Sequence, residues 1–130
     1  MLDTNILLDW LLDRDRARTA QIESLMAQAQ ELHIPDAIVV ELAFALEKFY
    51  ELPRLVVVDN LSKVIDEAVF NCNRTLFRRA IAEYATHPAW SFLDACLLNY
   101  AELQNALPVY TFDKKLIIQG NGRARQPKTT

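Results

Sequence analysis

Short apolar runs, too brief to be helices, alternate along this chain with longer segments of helical period. Leu32-His33-Ile34, Val69-Phe70-Asn71-Cys72 and Pro108-Val109-Tyr110-Thr111-Phe112 read as strands. Between them, apolar residues recur at three- and four-residue intervals over 17–30, 36–50, 53–68, 74–85 and 92–103. Strands separated by helices cannot pair as hairpins and favour a parallel sheet with helices on its faces. The fold class is therefore α/β. Leu55-Val56-Val57-Val58 is β-branched and would suit a strand, but the surrounding period favours a helix. No repeat and no interdomain linker is apparent.

The first dozen residues predict a strand ending at Asp3, a tight turn at Thr4-Asn5, and a helix from Ile6 with Asn5 as a suitable capping type. Asp36 and Ser91 are expected to cap the third and the 92–103 helices. With 130 residues, 52% hydrophobic and only 2 Gly, the chain suits one domain with a substantial core. A formal charge of −3 argues against binding polyanions by bulk charge. No apolar run approaches the ~20 residues of a membrane span. Asp3 and Asp9 interrupt the amino-terminal apolar stretch, so no signal peptide is expected. Cys72 and Cys96 form no CxxC and, with two His, no zinc pattern. Reduced thiols in a cytoplasmic protein are expected. Residues 1–119 form the expected domain, and 120–130, polar and basic, are expected to be a disordered tail.

Four carboxylates stand in apolar surroundings. Asp3 and Asp113 end strand-like runs, Glu41 interrupts 38–46 and Asp94 interrupts 92–98. An ionised carboxylate in a dry interior costs several kcal/mol unless paired, and neither Glu41 nor Asp94 has a Lys or Arg one helical turn away. Gathering them around Mg²⁺ or Mn²⁺ would solve the problem, because hard oxygen ligands suit these ions.

These segments, in this order, resemble the PIN-domain family and, within it, toxin ribonucleases of the VapC type. The resemblance covers residues 1–118. It implies a PIN-like three-layer sandwich with a central parallel sheet of four to five short strands flanked by helices. It implies a metal-dependent endoribonuclease that hydrolyses RNA phosphodiester bonds. Asp3, Glu41, Asp94 and Asp113 match the family's acidic quartet, with Mg²⁺ or Mn²⁺ held chiefly by Asp3, Asp94 and Asp113. Glu41 would ligate through water or help activate it. Thr4, Asn5 and Thr111 match supporting polar positions, with Asn5 expected to orient Asp3. A cognate antitoxin and a homodimer are implied as partners. Only Met1 and Leu2 precede Asp3, so either the chain begins late or the first strand is short, and only Leu116-Ile117-Ile118 precede the polar tail, so the fifth strand is expected to be missing.

Three other readings compete. The chain could be a catalytically silent PIN-like binding module. Thr111-Phe112-Asp113 also resembles the start of a Mg²⁺-dependent phosphatase motif, but Lys115 stands where that motif needs a second Asp. A receiver-type acidic pocket would need paired early acids, which are absent. Arg14, Arg16, Arg18, Arg74, Arg78 and Arg79 read mainly as solvated helix faces, and Lys114 and Lys115 are better placed to meet a phosphate.

Overall fold

The computed structural model describes residues 1–129 and divides into two compact units, Met1–Arg74 and the remainder from Thr75. The first unit contains α1 (Thr4–Leu12), α2 (Arg16–Gln28), β1 (Leu32–His33), α3 (Asp36–Phe44), a π-helical turn (Ala45–Phe49), α4 (Arg54–Asp66) and β2 (Phe70–Asn71). β1 and β2 pair in parallel, Leu32 opposite Phe70 and His33 opposite Asn71. Leu7, Val39, Leu42, Leu46, Val57, Leu61 and Val64 are fully buried. The Trp10 ring meets the Phe70 ring edge-on, 5.2 Å between centroids.

The second unit contains α5 (from Arg74, the last residue of the first unit, to Thr86), α6 (Phe92–Leu103), β3 (Val109–Tyr110), α7 (Lys114–Gln119) and β4 (Ala124–Arg125). Phe77, Tyr84 and Phe92 form an aromatic cluster, with centroids 6.1 Å apart for Phe77–Phe92 and 5.6 Å for Tyr84–Phe92. Trp90 is buried with His87 stacked on it. β3 and β4 are parallel, Val109 opposite Ala124 and Tyr110 opposite Arg125.

The helices and the α/β character follow the sequence closely, and α4 absorbs its β-branched run because Val57, Leu61, Val64 and Ile65 line one buried face. The differences lie at the ends of elements. No strand precedes Asp3: Leu2 N donates to His33 O at 2.8 Å beside β1, and α1 begins at Thr4. Asp3 is the cap, and Asn5 lies inside the helix. Pro35 occupies the N-cap of α3, and Asp36 is its first residue. Within each unit no more than two strands are joined among the described residues, so parallel pairing is established and a larger sheet is not. Beyond Gly120, β4 supplies a strand after the last acidic segment, where a missing strand was expected, and Ala124 is 2% exposed. Thr130 lies outside the described residues.

Candidate functional site

Three of the four candidate carboxylates sit at helix starts. Asp3 caps α1, its Oδ1 accepting from Ile6 N at 3.1 Å. Asp113 caps α7, its Oδ1 accepting from Lys115 N at 2.9 Å. Asp94 closes a capping box on α6: Ser91 Oγ accepts from Asp94 N at 3.0 Å, and Asp94 Oδ2 accepts from Ser91 N at 2.9 Å. Such caps satisfy backbone donors that the helix itself leaves unpaired. Each uses one carboxylate oxygen, and the other oxygen of each has no hydrogen bond among the described residues. Glu41 lies within α3, on its exposed side, while Leu42 and Ala43 face the core.

None of the four is buried. Asp3 and Glu41 are exposed, Asp94 and Asp113 half-buried. The expectation of carboxylates stranded in a dry interior is thus corrected. The apolar neighbours in sequence turn inward on the helix, and the acids stay at its start or on its outer face. What does hold is the absence of neutralising cations: among the described residues none of the four makes an ion pair.

The buried acid is Asp9, which sequence reasoning passed over. Arg14 Nε lies 2.8 Å from its Oδ1 and Arg18 Nε 3.0 Å from its Oδ2. Its partners, rather than depth, shield it, since the Arg18 side chain is 56% exposed. Loss of solvent pushes the Asp9 carboxyl up, but the hydrogen bonds and charges of Arg14 and Arg18 outweigh this and hold it below the usual range. The signal lay in two arginines just past the end of α1, within reach of its last turn. Arg14 also donates to Tyr50 Oη at 2.8 Å, to Asn5 O at 3.1 Å and to Asn5 Oδ1 at 3.5 Å. Asn5, expected to orient Asp3, is engaged by Arg14 instead. Thr4 is buried and its Oγ1 has no hydrogen-bond partner among the described residues. Thr111 Oγ1 accepts from Asp113 N at 3.0 Å and fixes the turn that presents Asp113.

In the second unit Glu83 is the neutralised acid. Arg123 grips both of its oxygens, Nη1 at 2.7 Å and Nη2 at 2.6 Å, and Asn99 Nδ2 adds a bond at 2.9 Å. Lys114 and Lys115 are exposed directly after Asp113.

Asp3 and Glu41 belong to the first unit, Asp94 and Asp113 to the second. Among the described residues no group of three or more His, Cys, Asp and Glu side chains is gathered closely enough to hold a metal ion. No helix among them is long and apolar enough to cross a membrane.

The PIN domain family model matches residues 1–119, spanning both units. A VapC ribonuclease of Aquifex aeolicus (strain VF5) is 25% identical over 119 residues, covering 88% of this chain and 87% of the relative. No solved structure matches the chain.

Proposed function

This chain belongs to the PIN-domain family, and on that premise we propose that it is a Mg²⁺- or Mn²⁺-dependent endoribonuclease, the toxin of a toxin–antitoxin pair. The observation that carries the reading is the pattern of partners. Asp9 and Glu83 are held by arginines, whereas Asp3, Asp94 and Asp113 each keep one oxygen free and Glu41 keeps both. Uncommitted hard oxygens suit a small divalent cation. The relative named a VapC ribonuclease supports the same chemistry.

By the family likeness Asp3, Asp94 and Asp113 would hold the ion, although no three such side chains are gathered for one among the described residues, and Glu41 would accept the proton of the attacking water at its carboxylate. When bound, the ion offsets phosphate charge and makes water more acidic. Lys114 and Lys115 reduce the repulsion that an acidic site presents to a polyanion. Thr111 positions Asp113 through its main-chain N–H, and Thr4 and Asn5 form the first turn behind Asp3. The three-layer sandwich with a single four- to five-stranded sheet, an antitoxin that covers the acidic residues, a homodimer and a cytoplasmic setting complete the proposal.

Asp94→Asn and Asp113→Asn test it. Asn caps a helix about as well as Asp at position 113, and at position 94 its amide oxygen can still accept from Ser91 N, so both variants should melt within about 4 °C of the wild type while RNA cleavage in Mn²⁺ falls by at least about 10²-fold. Variants that cleave like the wild type would overturn the assignment. A wild type that binds RNA without cleaving it would make the chain a silent binding module, and phosphate release from a monoester would favour the phosphatase.

A further inference from the structure

The chain's charge of −3 hides two opposite halves. Met1–Arg74 carries seven Lys and Arg against thirteen Asp and Glu, a balance of −6. Residues 75–130 carry seven against four, a balance of +3. Five of those seven cations fall between Lys114 and Lys128, where Asp113 is the one nearby acid. Arg123 is spent on Glu83. Lys114, Lys115, Arg125 and Lys128 are exposed and have no carboxylate partner among the described residues.

Two of these free cations line a concave pocket. It holds about 600 Å³ and is bounded by Tyr110, Arg125, Gln126, Pro127 and Lys128, a size that takes small ligands. The β3–β4 register explains its composition. Tyr110 is opposite Arg125, and both are exposed, while their strand neighbours Val109 and Ala124 are buried. Pairing in this register sets an aromatic ring, 66% exposed, beside a guanidinium on the same face. Tyr110 is three residues before Asp113, a span of no more than about 10 Å of chain. An aromatic face beside fixed cations is the arrangement that binds a stacked base with its phosphates, with little dependence on sequence.

We propose that the Tyr110–Arg125–Lys128 pocket is a binding subsite for single-stranded RNA flanking the scissile bond, with a base on Tyr110 and backbone phosphates on Arg125 and Lys128. The inference rests on the ribonuclease reading for its substrate class. It adds a contact made by the carboxyl-terminal segment, outside the acidic quartet.

The test is binding of a short labelled single-stranded oligoribonucleotide in EDTA, by fluorescence anisotropy across a salt series. Tyr110→Ala should weaken binding roughly tenfold, and Tyr110→Phe should restore it, because stacking needs the ring and not the hydroxyl. The double variant Arg125→Gln/Lys128→Gln should lower the slope of log K against log salt by about 1.4, at ~0.7 per phosphate on a single strand. In Mn²⁺, Tyr110→Ala and the double variant should raise KM on long RNA and leave kcat unchanged. Wild-type affinity and salt slope in all three would overturn the subsite and leave the nuclease reading standing. A wild type that binds through these residues but never cleaves would do the reverse. Polyglutamate binding that falls in the double variant, with RNA binding unaltered, would assign the pocket to an acidic protein partner and overturn the proposal.

Discussion

Replacing Glu83 by Gln keeps the side chain's shape and removes the charge that Arg123 and Asn99 are built around. Glu83 and Arg123 are only 24% and 16% exposed at their side chains. Exposed pairs contribute about 0–1 kcal/mol, while breaking a fully buried pair costs about 3–5 kcal/mol. The partial exposure places this change near 2 kcal/mol, an order-of-magnitude value between those limits. With ~2.1 cal/mol/K of unfolding entropy per residue, 130 residues acting together correspond to a fall in Tm of about 7 °C. The pH dependence carries the sign. The Arg123 hydrogen bonds hold the Glu83 carboxyl below its ordinary 4.5, against the opposing effect of burial and with help from Asn99. A carboxyl whose folded value is depressed stabilises the fold above its unfolded value and loses that contribution as pH falls through the folded one. The gap in Tm between wild type and Glu83→Gln should therefore be full at neutral pH and shrink below about pH 4.5. Asp9 is depressed in the same direction, so the wild type alone would mix two acid transitions, and the gap between the two proteins isolates Glu83. Calorimetry of both across this range decides the matter. A neutral-pH gap of about 4 °C or less, the exposed-pair limit, or a gap that persists unchanged in acid, would refute the reasoning.

Two further outcomes are expected. Gly120→Ala should destabilise the end of α7 by about 1–3 kcal/mol, because a Cβ there would stand 2.3 Å from Leu116 O, a main-chain atom that cannot swing aside; chemical denaturation measures it, and a neutral result would mean that the helix end relaxes freely. Arg14→Ala should expose Asp9 and release both Asn5 and Tyr50, lowering Tm at neutral pH, and the loss should be greater than for Tyr50→Phe, which removes one hydrogen bond alone.

Local pattern was enough to read the helices and misleading at their ends. α6 begins at the residue its Ser91 cap dictates, because Ser-x-x-Asp before an apolar run satisfies two backbone donors at once. Asp3 was harder: an aspartate after two apolar residues can finish a strand or cap a helix, and only the Leu2–His33 contact decides that the extended segment stops short. The tail was illegible for a different reason. Its composition is polar, but its order comes from residues far away in sequence, Val109 accepting Ala124 as a strand neighbour and Glu83 accepting Arg123 forty positions on. Neither contact leaves a local period in the sequence that would announce it. Burial of the candidate acids was also misjudged locally, since an apolar run such as 38–46 wraps around the helix and leaves room for Glu41 on the outside.

The same distinction between local and summed properties governs the charge. A net value of −3 argues against a polyanion as ligand only if the charge is spread evenly. Here the acidic excess lies entirely in the first unit, and its one buried acid, Asp9, is already compensated by two arginines. The second unit is cationic overall, and most of its free cations follow Asp113 within sixteen residues. A nuclease acting on RNA needs uncommitted carboxylates for an ion and uncommitted cations for the phosphates on either side. Pairing Asp9 and Glu83 with arginine leaves the fold stable while keeping those two sets free. Ion pairing in this chain thus separates acids held by arginines from acids whose oxygens stay uncommitted, a distinction that net charge and burial each miss.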